Sequence, residues 1–96
     1  MKEAEFQAKL IKELKKRFPD CIVLKNDSSY IQGIPDLTIL NKDKWAMVEV
    51  KESKDAPYRP NQPYYLEKSK KMSFSATIYP ENMKESLDEL QQALQP

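Results

Sequence analysis

The stretch that decides the fold runs from Gly33 to Lys51, GIPDLTILNKDKWAMVEVK, and reads as a β-hairpin with charged side chains where apolar ones are usual. Counting outward symmetrically from Lys42-Asp43 places Asp36 opposite Glu49. Directly opposed side chains in an antiparallel pair have Cβ atoms about 4.5–5.5 Å apart, and like charges there are destabilising. At an effective dielectric near 20, two carboxylates about 5 Å apart repel by roughly 3 kcal/mol. Such a pair needs a compensating cation. Lys51 lies two residues beyond Glu49 and therefore on the same face, which supplies one positive charge. A divalent metal would supply two more.

Working outward, the second arm of the hairpin divides cleanly. Trp45, Met47, Glu49 and Lys51 share one face, whereas Ala46, Val48 and Val50 share the other and suit close packing. Upstream, CIVLKN (21–26) is a short β-branched strand, and DSSYIQGIP (27–35) holds the only glycine and so reads as a connection. Residues 3–18 form a helix on the spacing of Phe6, Leu10, Ile11, Leu14 and Phe18, ended by Pro19-Asp20. At about 100° per residue, Glu3 lies on the same stripe as Phe6, Leu10 and Leu14, while Glu5 points away. Lys12, Lys15, Lys16 and Arg17 fall on the outer side and are expected to be solvated.

Downstream, SKDAPYRPNQP (53–63) is a proline-rich ordered loop. A helix over about 61–72 follows, with Asn61 as N-cap and Pro63 in its first turn. Its apolar residues are Tyr65, Leu66 and Met72. FSATIYP (74–80) alternates as a fourth strand. Asn82 to Glu85 has the spacing of a capping box, opening a last helix with the stripe Met83, Leu87, Leu90 and Leu94. The order α-β-β-β-α-β-α implies an α/β fold, a mixed sheet flanked by helices.

The chain has 96 residues, enough for one small domain with one core. A net charge of +1 argues against binding nucleic acid through bulk electrostatics, though not against local basic patches. With no histidine and one cysteine, a Cys/His zinc site and an intrachain disulfide are both excluded. Cys21 is expected to be a core thiol. No apolar run approaches a membrane span and no signal-peptide core opens the chain, so a cytoplasmic protein without a membrane partner is the expectation.

Asp36 and Glu49 thus meet by register, and Glu3 is turned inward by its helix. A carboxylate cluster without histidine or thiolate suits Mg²⁺ or Mn²⁺. The pattern Pro35-Asp36, twelve residues, then Glu49-Val50-Lys51 resembles the PD-(D/E)XK signature of restriction-endonuclease-like nucleases. Glu3-x-x-Phe6-Gln7, Gly33-Ile34-Pro35-Asp36 and Asn61-Gln62 make it most similar to the small VRR-NUC-type nucleases of phages and bacteria, close to the Holliday-junction resolvases. A VRR-like signature itself is absent.

That resemblance implies a restriction-endonuclease-like sheet and Mg²⁺-dependent DNA hydrolysis, with a phage or bacterial cytoplasmic setting. It makes Glu3, Asp36, Glu49 and the carbonyl of Val50 metal ligands, Lys51 the catalytic lysine and Gln62 a site residue near the water or phosphate. Lys25, Asn26, Tyr30 and Arg59, with Lys54 and Tyr58, flank this region and are candidates for gripping phosphates or stacking on bases. So short a chain offers little surface for a duplex, so a homodimer acting on branched DNA is expected. The alternatives are a non-catalytic nucleic-acid-binding module on the same fold, or a subunit of a phage or host replication or recombination assembly.

Overall fold

Only Lys42 and Asp43 separate the hairpin arms, and Lys42 takes a left-handed φ of 59° to make the turn. This is the shortest common hairpin connection, and its twist matches that of the flanking strands. In the computed structural model, which describes residues 1–95, the arms are β2 (Leu37–Asn41) and β3 (Lys44–Val50). They pair antiparallel from Asn41 opposite Lys44 to Leu37 opposite Val48. One more step in that register sets Asp36 against Glu49, as the symmetric turn requires.

The remaining elements are α1 (Glu3–Arg17), β1 (Ile22–Lys25), α2 (Gln62–Met72), β4 (Phe74–Ile78) and α3 (Met83–Leu94). A single 3₁₀ turn, Pro80–Asn82, precedes α3. The expected order α-β-β-β-α-β-α is therefore observed. The sheet runs β1-β2-β3-β4, with β4 parallel to β3 and the other pairs antiparallel. A parallel pair needs a long crossover, which α2 provides. No helix of the described residues is long and apolar enough to cross a membrane.

The period-2 alternation assigns each face of the sheet. Leu37, Ile39, Ala46, Val48, Val50 and Ile78 are fully buried and form one core with Phe6, Leu10 and Leu14 of α1 and Leu87, Leu90 and Leu94 of α3. α2 covers β3 and β4 on the opposite face, where Ser75 Oγ donates to the Leu66 carbonyl at 2.6 Å. The Glu49 side of the sheet is thus roofed by a helix with a thin apolar stripe, which leaves room there for polar groups.

Local details depart from the sequence expectations. Asn61 precedes α2 as expected, but with a left-handed φ of 70° and no side-chain capping bond. Asn82 forms no capping box with Glu85. Its side chain instead accepts from Tyr79 N–H at 2.9 Å and donates to the Thr77 carbonyl at 3.0 Å, closing off β4. Met72 is 67 % exposed because α2 turns its last residue away from the sheet. Arg17 is not a solvated cation: it bridges α1 to α3 through Asp88 at 2.7 Å and Gln91 at 3.0 Å. Cys21 is half-buried at the margin of the core, and burial pushes its thiol pKa up.

Gly33 ties the two loops beside the Asp36 end of the sheet. Its φ of +91° is one that side chains rarely adopt, and a Cβ there would lie 2.6 Å from the Asn61 backbone. Gly33→Ala is expected to cost at least about 1 kcal/mol, from left-handed strain and the clash with Asn61. Urea denaturation of the two proteins measures this, and an unchanged midpoint would show that the loops do not depend on this contact.

Candidate active site

Asp36 precedes β2, where its backbone is pinned to the neighbouring strand. Asn26 N–H donates to the Asp36 carbonyl at 2.8 Å, and Asn26 Nδ2 donates to the Pro35 carbonyl at 2.8 Å. Asn26 Oδ1 in turn accepts from Thr38 Oγ1 at 3.0 Å. With its carboxylate anchored on the Val50 N–H at 2.7 Å, Asp36 is aimed across the hairpin. In extended backbone the N–H and C=O of one residue point the same way, so the Val50 carbonyl lies on the Asp36 side of β3.

Glu49 is 1 % exposed. Its Oε2 accepts from Gln62 Nε2 at 2.6 Å and lies 3.4 Å from Lys51 Nζ. Its Oε1 is buried without any partner. Burial, then the Asp36 charge, push the Glu49 carboxyl from 4.5 up to about 7, against the opposing pull of Lys51. With donors crowding Oε2, the proton of the neutral form belongs on Oε1.

Lys51 is also buried, with two hydrogen bonds and one ion pair. Nζ donates to the Pro57 carbonyl at 3.0 Å and to Gln62 Oε1 at 2.8 Å, and faces Glu49 Oε2. The Tyr58 ring lies 5.3 Å from Nζ, and the Tyr58 and Thr77 hydroxyls share a hydrogen bond of 2.7 Å. Thr77 is the β4 residue directly beside Glu49.

Gln62 joins these groups. Its Oε1 accepts from Lys51 Nζ and from Arg59 N–H at 2.7 Å, two groups that only donate. The amide orientation is therefore determined, and Nε2 must face Glu49. Pro63 in the first turn of α2 and the left-handed Asn61 together swing Gln62 down into this position. A cleft of about 310 Å³ opens onto Asp36 and Gln62, lined also by Ser28, Gln32, Arg59 and Pro60.

The structure brings Asp36, Glu49, Lys51 and Gln62 together around one point. Glu3 does not complete a cluster with them. Among the described residues, no three His, Cys, Asp or Glu side chains are grouped to hold a metal ion. The physical reason is that α1 packs on the Val48–Val50 face of the sheet, whereas Glu49 points to the other. Glu3 sits half-buried in the first turn of α1, where a carboxylate suits the helix dipole.

Of the flanking candidates, Arg59 lines the cleft mouth, Lys25 is exposed at the end of β1 and Tyr30 is 85 % exposed on its loop. Asn26 differs from the expectation, because both ends of its amide are committed, Nδ2 to the Pro35 carbonyl and Oδ1 to the Thr38 hydroxyl. The sequence reading missed Thr77 and the Pro57 carbonyl. Alternation along β4 was the available signal for Thr77, but its neighbour in the sheet was not legible. Nothing marks a carbonyl in a proline-rich loop.

This buried ion pair does not explain stability, since desolvating two charges tends to offset their attraction. A carboxyl perturbed by burial and a neighbouring charge, as Glu49 is behind the cleft that Asp36 lines, is instead a mark of functional sites. Comparison with family models, curated proteins and solved structures finds no match to this chain.

Glu49 also makes stability depend on pH. Between 4.5 and about 7 the native state keeps a proton that the unfolded chain has lost, so stability falls as pH rises through that window. The full penalty, roughly 3 kcal/mol, is present above it. Glu49→Gln is expected to raise the urea midpoint at pH 8, with a gain that shrinks as pH is lowered towards 4.5. A gain independent of pH would show that the buried charge is not its source.

Proposed function

We propose that this chain is a Mg²⁺- or Mn²⁺-dependent nuclease that hydrolyses phosphodiester bonds in DNA, with its mixed sheet in a restriction-endonuclease-like arrangement. The observation that carries this reading is Glu49: a buried carboxylate with one orphan oxygen, set against a second carboxylate. A fold gains no stability from that pair. A hard cation would relieve the repulsion and use the orphan oxygen.

The donor set fits such an ion. Mg²⁺ is commonly held by one or two carboxylates together with waters and substrate phosphates, so a third acid is not required. Asp36, Glu49 and the Val50 carbonyl would hold it. The ion would supply an activated water and neutralise charge on a phosphate oxygen. Lys51, buried and oriented by Pro57 and Gln62, places a positive charge where negative charge develops on the phosphorus oxygens. Gln62 keeps the Lys51 ammonium and the Glu49 carboxylate in fixed relation. Arg59 stands at the cleft mouth, where its guanidinium can receive a phosphate of the substrate.

A homodimer that sets two such sites across one branched DNA is part of the proposal, because one short chain presents limited surface. Light scattering on the purified protein tests it, with a monomer mass at working concentration as the opposing result.

The central test is incubation with Mg²⁺ and supercoiled, linear and four-way-junction DNA. Cleavage is expected to stop with EDTA and to fall by at least about 100-fold in Glu49→Ala and Lys51→Ala, the loss typical of a removed electrostatic group. Circular dichroism confirms that each variant is folded. Activity that survives in the folded variants would falsify the site. The absence of Mg²⁺ and Mn²⁺ binding in calorimetry would favour a non-catalytic nucleic-acid-binding module.

A further inference from the structure

We propose that the outer face of α2, together with Tyr58, is a docking track for a single strand of nucleic acid leading away from the Asp36–Glu49 site. The inference rests on the nuclease reading for its direction, and it adds a single-stranded arm to the branched DNA that the site receives. Charge is the first support. α2 carries Lys68, Lys70 and Lys71 against one acid, Glu67. The whole chain is +1, so the remainder outside this helix is net acidic. α1 is equally basic, but it packs on the face of the sheet away from Glu49, so α2 is the basic helix that roofs the site.

Aromatic exposure is the second. Tyr58 is 49 % and Tyr64 59 % exposed; Tyr58 borders a groove shared with Lys70, and Tyr64 a hollow shared with Lys68 and Lys71. The Tyr64 ring is braced by the edge of Tyr65, with centroids 5.0 Å apart and planes at 84°, and Lys68 Nζ lies 5.7 Å from its centre. A braced tyrosine beside ammonium groups offers a π-face next to phosphate partners, which is how single strands are held without sequence preference. Paired bases present no free face to such rings.

Continuity with the site is the third. Tyr58 lies against Lys51 and Thr77 and also borders a groove of about 280 Å³ that passes Leu66 and Lys70 between α2 and β4. A second, wider hollow of about 610 Å³ lies on the outer side of α2, bordered by Tyr64, Lys68 and Lys71. Arg59, adjacent to Tyr58, lines the cleft onto Asp36. A strand leaving that cleft meets Tyr58 and then the lysine face of α2.

Binding is tested without turnover, by fluorescence anisotropy of a labelled 20-nucleotide DNA with the wild-type protein in EDTA. The single strand is expected to bind at least tenfold more tightly than a duplex of the same length. The triple variant Lys68→Gln, Lys70→Gln, Lys71→Gln is expected to lose at least tenfold and to flatten the log-affinity against log-salt slope by about two, at about 0.7 per phosphate released. Tyr64→Ala is expected to weaken binding by roughly five- to a hundredfold with the slope unchanged. Equal or tighter duplex binding, or unaltered affinity in the triple variant, would overturn the track. Intact single-strand binding by a protein that cuts no DNA would support the track and count against the nuclease reading alone.

Discussion

The arrangement of this protein depends on two carboxylates that cannot avoid each other. A two-residue turn sets the register of β2 and β3, and that register carries Asp36 to Glu49. Moving the register by one residue would separate them, but would also turn Leu37, Ile39, Val48 and Val50 out of the core. The apolar face and the acidic pair are therefore specified by the same pairing. The core cannot form without bringing the acids together.

Around that pair the chain has built partial compensation. Lys51 neutralises one charge from the same strand, Gln62 holds both groups from the start of α2, and Val50 N–H steadies Asp36. The compensation stops short at Glu49 Oε1, which stays without a partner, and the Glu49 carboxyl remains raised to about 7. Full compensation would have made a rigid structural network. An incomplete one leaves a buried carboxylate oxygen free, the one that the proposed cation would use.

Two loops bring the outer parts of the site into place. Gly33 lets the 27–35 connection touch Asn61 at close range, and the left-handed Asn61 in turn begins the helix that presents Gln62. The proline-rich loop contributes mainly through its backbone, with the Pro57 carbonyl and the Arg59 N–H each bonded to a site residue. Tyr58 is its side-chain link, hydrogen-bonded to Thr77 on β4. The site side chains thus sit at strand ends and a helix start, while the loop supplies orientation.

Much of this was legible in the residues themselves. Hydrophobic periodicity located every helix and strand, because periods of 3.6 and 2 follow from backbone geometry alone. The hairpin count placed Asp36 against Glu49, and face alternation placed Lys51 beside them. Tertiary structure decided what local pattern cannot carry. A helical stripe shows that Glu3 turns inward, but not which face of the sheet its helix covers, and α1 covers the face away from Glu49. Asn61 and Asn82 have good capping residue types, yet loop closure at Gly33 and the end of β4 claimed them for other work. The pairing of β4 beside β3 brought Thr77 next to Glu49, a contact made across 28 residues of chain. The sequence determined which side chains share a face; packing decided which faces meet, because that depends on distant surfaces fitting together.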